Sequence, residues 1–457
     1  MDFIHQPYYP GKTIAAIATP PGEGGVAIIR ISGKDALKIG QQVFSGTISN
    51  YPSHTAHFGK ILNTAGEVID EGLLVPFLGS RSYTGEDTIE LHCHGGRLIT
   101  RRVLEAVLAS GATAAGPGEF TFKAFMNGKM DLVQAEAVQS LICAKSELAL
   151  NAAESQLRGK LSKKVQNFQK RLTHIAAILE AWIDFPEEGL EFASMEELSQ
   201  DLETICQEME ALIETFHQGK ILHDGLSLCL VGCPNVGKSS LLNALVDKDR
   251  AIVSPIPGTT RDVLEDYLHL NGVHLKVSDT AGIRNSEEVI EQEGIRRSKK
   301  AMQEADLILF VLDASQGLTE EDRELLSIVP IERTILVWNK IDLPHPLLEE
   351  VSIKHVVQIS AKEGTGLVEL HQAIDQMIWH HPPSKDEIVL THLRHKEALN
   401  ESVAAAREVL SGLKKNVSPE FLNLDMRHAL QGLGRIIGTN ITEDILSEIF
   451  STFCIGK

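Results

Sequence analysis

Cysteine is sparse in this chain, and long apolar runs are missing. The 457 residues include six cysteines, which are scattered and form no Cys-x-x-Cys pair. That scatter argues against a disulfide framework and against a zinc ribbon. No run reaches the ~18 consecutive apolar residues of a membrane-spanning helix, so we expect no membrane span. The first residues lack the basic start and apolar stretch of a secretory signal, and cytoplasmic residence is the expectation.

Positive charge is in deficit. The chain has 43 lysines and arginines against 62 aspartates and glutamates, which gives a formal net charge of −19. Such a surface repels nucleic acid unless basic residues are gathered locally. Any role on RNA must therefore use a small basic patch, a more basic partner or bound cations.

Strand and helix patterns divide the chain into four predicted segments. Residues 1–125 alternate strand-like runs with two helical patterns, which predicts a small α/β domain. Residues 126–224 and 380–457 show helical spacing, with residues 219–225 as a junction. Strands and helices alternate through residues 225–379, as a doubly wound α/β domain requires. The overall prediction is one helical module that carries an inserted α/β domain.

The inserted domain opens with a phosphate-binding motif. The apolar strand 226–231 leads into Gly232-Cys233-Pro234-Asn235-Val236-Gly237-Lys238-Ser239-Ser240, and a helical pattern follows. This is G-x-x-x-x-G-K-S in the strand–loop–helix setting that the motif needs. Backbone N–H groups of such a loop cradle phosphate oxygens at a helix N-terminus. Lys238 would balance the charge of the β- and γ-phosphates, and Ser239 would hold Mg²⁺.

Further elements follow in the order that a Ras-like P-loop GTPase requires. Asp279 to Gly282 follow a strand, and Asp279 would reach the Mg²⁺ shell through water. Asp342 ends Asn339-Lys340-Ile341-Asp342 and can accept both the ring N–H and the exocyclic amine of guanine, a donor pair that adenine lacks. The predicted contacts of GTP and GDP are Asn235, Val236, Gly237, Lys238, Ser239, Ser240, Ser254, Pro255, Ile256, Pro257, Gly258, Thr259, Thr260, Asp279, Thr280, Ala281, Gly282, Asn339, Lys340, Asp342, Ser360, Ala361 and Lys362.

Two roles in the predicted nucleotide site leave alternatives open: the hydroxyl that completes the Mg²⁺ shell and the group that orients water. Within Gly258-Thr259-Thr260-Arg261-Asp262, Thr260 is our choice for completing the Mg²⁺ shell, while Thr259 serves equally well as a turn-stabilising hydroxyl on spacing alone. Ras-like enzymes place a water-orienting glutamine after Asp-x-x-Gly, but this chain has Ile283. The acidic run 287–293 is an alternative source of that group, and it also fits a solvated helix face.

Several motifs resemble the MnmE (TrmE) family of tRNA-modification GTPases. They include Asn235 in the phosphate loop, Gly258 to Asp262, and the C-terminal Phe453-Cys454-Ile455-Gly456-Lys457. Segments 18–22, 83–87, 118–121 and 127–132 fit the same family, so the resemblance spans essentially the whole chain. It implies a GTPase activated by potassium, with K⁺ held by Asn235, Ser254, Ile256 and Thr259. It also implies a homodimer in which the two GTPase domains meet, and Glu291 as the residue that orients water.

The resemblance further implies a role in tRNA modification. A flavin-dependent MnmG-type partner would carry FAD, and the two proteins would install a carboxymethylaminomethyl-type group on the wobble uridine of tRNA. The one-carbon unit would come from a formyl- or methylene-tetrahydrofolate, bound by the N-terminal domain through Arg30, Glu90, Lys129 and Lys457. Arg30 lies in an apolar strand, where an unpaired charge is costly, and this independently favours a ligand or ion-pair role.

The sequence leaves two predictions open, one on Cys454 and one on Gly116. Cys454 is implied as a catalytic cysteine, although a packed terminal thiol is the alternative. The family usually has arginine where this chain has Gly116. Two alternatives are open: the position is peripheral, or Lys123 makes the missing contact. The rival functions are a ribosome-assembly GTPase and a regulatory GTPase acting on proteins, neither of which needs Cys454 or a folate-type domain.

Overall fold

The computed structural model describes residues 11–184, 194–248, 266–270, 273–279, 302–349, 351–379, 387–415 and 417–457. These residues form two compact units. The first contains residues up to Ile142, Gln156–Cys206 and Ala398–Lys457, and the second contains Cys143–Ser155 and Gln207–Glu397. The chain therefore leaves the first unit twice, at residues 143 and 207, and returns to it at residues 156 and 398. The segment boundaries at residues 125, 224 and 379 remain predictions.

A six-stranded sheet organises the N-terminal part of the first unit. Its spatial order is β3-β4-β5-β2-β1-β6, and neighbouring strands are antiparallel except β1 and β6. The strands are β1 (Ile14–Ile17), β2 (Gly24–Ser32), β3 (His57–Leu62), β4 (Val68–Phe77), β5 (Thr88–Gly95) and β6 (Thr113–Ala114).

The two faces of this sheet differ because side chains alternate along each strand. Ile29, Ile31 and Leu91 are fully buried and pack in one apolar cluster with residues of two helices, α1 (Ala36–Val43) and α2 (Arg97–Ala109). Arg30 and Glu90 alternate with these residues and so lie on the opposite face. The apolar pattern thus fixes which charged residues the sheet presents away from its helices.

The remaining helices follow in chain order. They are α3 (Glu119–Met126), α4 (Leu132–Cys143), α5 (Glu147–Leu157), α6 (Lys160–Asp184), α7 (Met195–Glu214), α8 (Phe216–Asp224), α9 (Lys238–Lys248), α10 (Glu320–Leu326), α11 (Leu367–Ile378), α12 (Leu393–Lys414), α13 (Pro419–Ile437) and α14 (Glu443–Ser451). In the first unit α6 packs along α13. Within the described residues, no helix has both the length and the apolar character of a membrane span.

The second unit is built on a mostly parallel sheet in the order β12-β11-β10-β7-β9-β8. Its strands are β7 (Leu226–Val231), β8 (Asp266–Leu270), β9 (Val273–Asp279), β10 (Leu307–Asp313), β11 (Thr334–Asn339) and β12 (His355–Gln358). The strand order reverses at β7, which pairs with β9 on one side and β10 on the other. Ligands bind beyond the carboxyl ends of strands at such a switch point.

The predicted junction at residues 219–225 is wrong for most of its length. Helix α8 runs through it from Phe216 to Asp224, and the chain turns only at Gly225, whose φ is 78°. A glycine inside a helix suggests a break, but Gly219 has a packing reason: a Cβ there would collide with the carbonyl oxygen of Leu390. Close approach of two backbones therefore accounts for this glycine.

Candidate functional site

The phosphate loop lies at the carboxyl end of β7, where the strand order reverses. Gly232 and Gly237 have φ angles of 150° and 98°. A Cβ on Gly232 would collide with the Val311 carbonyl oxygen at the end of β10, and one on Gly237 would collide with the Asn339 side chain at the end of β11. Both glycines are therefore required for the loop to fit between neighbouring strand ends.

Three polar residues of the loop and the first turn of α9 are placed for phosphate chemistry. Lys238 Nζ donates to the carbonyl oxygens of Gly232, at 2.8 Å, and Cys233, at 2.9 Å, so its ammonium group lies over the loop. Ser239 is exposed at the N-terminus of α9. Asn235 is exposed with φ 63°, a left-handed conformation that asparagine tolerates better than most residues.

Asn339 connects the phosphate loop to the loop after β12. Its side chain is buried, its Nδ2 donates to the Val236 carbonyl oxygen at 2.8 Å, and its Oδ1 accepts from the Ala361 N–H at 3.0 Å. Both functions of the amide are thus used within the protein. Asn339 therefore acts here by holding the two loops that flank the nucleotide site in register.

Asp342 presents the carboxylate predicted to read guanine. The side chain is exposed, and Ser360 Oγ donates to its Oδ1 at 2.7 Å. Ser360 is itself fixed, because its Oγ accepts from the Glu363 N–H at 3.2 Å. Ser360 therefore orients the carboxylate while the Asp342 side chain stays open to a ligand. Lys362, in the same loop, is exposed.

Lys340 is held by a partner that the sequence did not suggest. Its φ is 66°, and its Nζ lies 2.6 Å from Oδ2 of Asp313, the last residue of β10. Burial alone would raise the pKa of Asp313, but hydrogen bonds from Lys340 and Ser315 outweigh it and lower that pKa overall. A charged pair thus fixes the ammonium group of Lys340 at the carboxyl end of β10.

Part of the predicted nucleotide site falls outside the described residues. Asp279 is the last residue of β9, where its backbone lies opposite Leu230 of β7, so the strand delivers it to the same edge as the phosphate loop. The residues outside the described ranges are Ser254, Pro255, Ile256, Pro257, Gly258, Thr259, Thr260, Thr280, Ala281, Gly282 and Glu291.

A second charged cluster lies on the face of the first sheet that is turned away from α1 and α2. Arg30 and Glu90 are direct cross-strand partners, with Arg30 Nε 2.9 Å from Glu90 Oε1. Arg30 also donates from Nη1 to the carbonyl oxygen of Gly456 at 3.0 Å, although 426 positions separate the two residues. The prediction that Arg30 needs a partner is thus met by an ion pair and by the C-terminal tail.

The tail, residues 453–457, lies against the N-terminal domain. Ile455 forms an antiparallel bridge with Pro117, and the Phe120 N–H donates to the carbonyl oxygen of Lys457 at 3.2 Å. Gly456 has φ 95°, and a Cβ there would come within 2.6 Å of the Ile17 carbonyl oxygen. Buried Phe453 anchors the segment in an apolar cluster with α4 and α14. Chain ends commonly fray, but this one is tied down by backbone pairing and packing.

Docking of the tail brings Lys457 to the Arg30–Glu90 pair. Its Nζ lies 5.8 Å from the centre of the Tyr83 ring. Burial lowers the pKa of Lys457, the nearby charge of Arg30 lowers it further, and Glu90 partly opposes both. Three of the four residues predicted to hold a folate, Arg30, Glu90 and Lys457, are therefore brought together.

The other two lysines considered for that site have hydrogen-bond partners outside this cluster. Lys129 is exposed, and its Nζ donates to the Ser80 carbonyl oxygen at 2.6 Å. Lys123 is buried, and its Nζ donates to Glu86 Oε2 at 2.7 Å and to the carbonyl oxygens of Lys12 and Ser32. All three donors of Lys123 are used inside the domain, so none is left for a ligand. Whether Lys123 makes the contact of the arginine expected at Gly116 stays a prediction.

Cys454 is exposed while its backbone is anchored. Its carbonyl oxygen accepts from the Gly118 N–H at 3.3 Å, which fixes the residue at the edge of the docked tail. Cys93, by contrast, is buried, and burial raises the pKa of its thiol to about 11. Cys454 is thus a thiol that solvent and a substrate can reach, in a segment whose position is defined.

Comparison with known proteins assigns the chain to a family. The profile described as "MnmE helical domain" matches residues 132–454, and that of the "GTP-binding protein TrmE N-terminus" matches residues 13–129. The chain is 69% identical over 458 residues to the tRNA modification GTPase MnmE of Protochlamydia amoebophila, with 100% of both chains covered. The chain belongs to the MnmE family.

More distant relatives match over the same length. The MnmE proteins of Clostridioides difficile and Heliobacterium modesticaldum are 42% and 43% identical to this chain, which covers 99% and 100% of their lengths. Membership of a GTPase family, together with the two folded units, confirms the predicted fold class: an N-terminal α/β domain, a helical domain and a P-loop GTPase domain.

Sequence reasoning missed two aromatic residues beside the charged cluster of this MnmE family member. The Arg30 guanidinium lies 5.7 Å from the Phe120 ring centre and 5.9 Å from that of Tyr83. The Tyr83 hydroxyl bonds Thr121 Oγ1 at 2.9 Å, and burial raises its pKa. Both residues fall in segments used to recognise the family, but nothing in their spacing says that they frame Arg30, because tertiary contacts bring them there.

Proposed function

We propose that this MnmE family member is a potassium-stimulated GTPase that modifies the wobble uridine of tRNA with a flavin-dependent MnmG-type partner. The single observation that best supports it is the joint occurrence in one chain of two sites: a guanine-type nucleotide edge at Asp342, and a cationic cluster built by Arg30 and Lys457 beside an exposed Cys454. A GTPase that acts only as a switch needs the first site and has no use for the second.

The nucleotide side of the proposal follows from the donor set. Asp342, held by Ser360, offers two carboxylate oxygens to the paired donors of guanine. The phosphate loop and Lys238 supply N–H donors and one ammonium group at the N-terminus of α9. The exposed hydroxyl of Ser239 fits a hard cation, and with Thr260 and, through water, Asp279 it would hold Mg²⁺ between phosphate oxygens. Bound Mg²⁺ would neutralise charge that develops on the transferred phosphoryl group.

The potassium side of the proposal rests on Asn235. A monovalent cation there, shared with Ser254, Ile256 and Thr259, would occupy the place at which other GTPases bring an arginine finger. The Asn235 side chain is exposed, and its amide oxygen is the kind of neutral oxygen ligand that a monovalent cation accepts. Two GTPase domains meeting face to face in a homodimer would close each site.

We expect Asn235→Gly to lose most of the potassium stimulation while GTP affinity changes little. Glycine accepts φ 63° without strain, so the substitution removes the side chain and its amide oxygen without straining the loop. The measurement is the turnover of GTP in K⁺ against Na⁺, with at least tenfold stimulation expected for the wild type and about none for the variant. Asn235→Asp keeps an oxygen at the same position and should retain stimulation. Equal stimulation in the wild type and Asn235→Gly would contradict the role of Asn235.

The folate side of the proposal rests on charge. Burial and the nearby charge of Arg30 lower the pKa of Lys457, and an anion between the two cations would relieve their repulsion. A tetrahydrofolate derivative carries carboxylates for these cations and a pterin whose N–H groups suit Glu90. The Tyr83 and Phe120 rings beside Arg30 offer flat apolar surface of the kind that packs on a heteroaromatic ring. Lys129 is assigned a peripheral contact.

We expect the affinity for 5-formyl-tetrahydrofolate to fall about tenfold as pH rises through the lowered pKa of Lys457. Below that pKa the ammonium is present and attracts a carboxylate; above it the charge is lost. The measurement is titration calorimetry from neutral to alkaline pH. Lys457→Arg should flatten the profile, since guanidinium keeps its charge. The same pH dependence in both proteins would show that Lys457 does not carry the effect.

The whole proposal is tested on tRNA. Mass spectrometry of tRNA from cells that lack this protein should show unmodified wobble uridine, and the chain with intact Cys454 should restore the modification. Normal tRNA combined with accumulating ribosomal precursors would instead favour the ribosome-assembly GTPase, and normal tRNA and ribosomes would favour a regulatory GTPase.

A further inference from the structure

One segment of this acidic chain contains no acidic residue. Residues 155–179 hold six lysines and arginines and none of the 62 aspartates and glutamates of the protein. The flanking carboxylates in sequence are Glu154 and Glu180. Since the chain as a whole carries −19, a run of this length is a local reversal of charge of the kind that an RNA role requires.

Most of the segment is helix α6, which has a buried apolar side and an exposed polar side that carries basic but no acidic residues over this segment. Its apolar side chains, among them Leu161, Phe168 and Leu172, are buried in the first unit. The opposite side is exposed and consists of Lys163, Gln166, Asn167, Lys170, Thr173 and His174, which we call the α6 polar face. These residues recur at helical spacing, so they form one continuous strip.

The two lysines of the α6 polar face are not neutralised by any carboxylate that the structure describes. Across the described ranges, Lys163 and Lys170 have no ion-pair partner. Glu180, the next carboxylate along the helix, is engaged by Arg427, whose Nη2 lies 3.1 Å from its Oε1. A hydrogen bond from Asn423 and the ion pair with Arg427 lower the pKa of Glu180. Its carboxylate therefore stays ionised, and Arg427 balances the negative charge. The strip therefore presents uncompensated positive charge and amide and hydroxyl donors.

We propose that the α6 polar face binds the phosphate backbone of the tRNA substrate. Lys163 and Lys170 lie two turns apart, about 10 Å along the axis, which matches roughly three nucleotide steps of one strand of a duplex. Lysine, glutamine, asparagine and threonine are side chains that donate to phosphate and sugar oxygens without reading sequence. The inference rests on the proposed action on tRNA and adds the surface that receives it.

The same strip fits RNA better than a membrane surface. A basic helix that lies in a lipid interface exposes large apolar residues beside its charges. The apolar residues of α6 are instead buried in the core, and the α6 polar face contains no phenylalanine, tyrosine, tryptophan or large aliphatic side chain. Phosphodiester groups in a polar setting are therefore the ligand chemistry that the surface matches.

The test compares two double variants of the full-length protein. K163Q/K170Q removes both charges of the α6 polar face, and K34Q/K38Q removes two exposed lysines at and near helix α1 as a matched control. The probe is an unmodified tRNA transcript with uridine at the wobble position, titrated over a range of salt, first with the protein alone and then with the flavoprotein partner added. We expect K163Q/K170Q to weaken binding about tenfold and to reduce the salt slope by about one to two. K34Q/K38Q should bind like the wild type, and both variants should keep basal GTP hydrolysis.

Each of the other possible results contradicts either the assignment of the α6 polar face or the proposed function. Wild-type affinity and salt slope in K163Q/K170Q, or an equal loss in K34Q/K38Q, would overturn the assignment of this face while leaving the proposed function in place. A wild-type protein that binds no tRNA, with or without the partner, would overturn the proposed function itself. Binding of α6 to phosphatidylglycerol vesicles, lost in K163Q/K170Q while tRNA binding is kept, would make the face a membrane contact.

Discussion

Asp342→Asn is expected to lower GTP affinity roughly 10³-fold or more, while affinity for xanthosine triphosphate rises. The wild-type carboxylate accepts from the ring N–H and the exocyclic amine of guanine. Asparagine places an N–H donor where one acceptor stood, so the guanine amine then faces a donor and both groups lose their hydrogen bonds. Xanthine carries an oxygen at the position of that amine, and this oxygen can accept from the new amide.

In this structure, Asp342→Asn is expected to change one hydrogen-bonding atom and to leave the side-chain orientation unchanged. Ser360 Oγ donates to Asp342 Oδ1 at 2.7 Å, and an asparagine Oδ1 accepts the same bond. The side chain should therefore keep its orientation, with the change confined to the atom that faces the base. Displacement of a fluorescent nucleotide by GTP, ATP and xanthosine triphosphate gives the three affinities. A gain in xanthosine triphosphate binding shows that the pocket is folded, and unchanged GTP affinity would remove Asp342 from base recognition.

The sequence could predict the elements that depend on local pattern. The apolar run around Arg30 marked a strand in which a charge needs a partner, and the glycines and Lys238 marked a strand–loop–helix unit. The site at Asp342 could be predicted because its motif comes directly after a buried strand. In each case the signal lies within about ten residues, because side-chain direction is set by the period of the element.

What the sequence could not supply is the tertiary partner of each group. Asn339 belongs to a motif associated with the base, yet its amide bonds Val236 and Ala361, about a hundred and about twenty positions away. Arg30 meets Gly456 from the other end of the chain. Lys123 resembles an exposed helix lysine in its local pattern and is in fact buried with Glu86. Periodicity carries no information on which surfaces of the fold meet. The partners of Asn339, Arg30 and Lys123 depend on such tertiary contacts, so the sequence pattern could not predict them.

The last expected result concerns the chemical step, in a segment outside the described residues. We expect Glu291→Ala to slow GTP hydrolysis at least ~10²-fold with little change in GTP affinity, because a carboxylate that orients water acts on the transition state and not on the bound nucleotide. The need for such a group comes from Ile283, which follows Gly282 where Ras-like enzymes have glutamine, and whose side chain cannot hydrogen-bond water.

The acidic run itself provides the control. Glu287→Ala and Glu293→Ala make the same change in charge within a few residues of Glu291, so a general electrostatic effect of the run would slow all three variants alike. A specific role predicts a loss in Glu291→Ala alone, with Glu291→Gln intermediate, since an amide can still position water but cannot accept its proton. Single-turnover hydrolysis in K⁺ separates this step from product release. If Glu291→Ala hydrolysed GTP at the wild-type rate, the acidic run would be a solvated helix face, and the water-orienting group would have to be sought elsewhere in the chain.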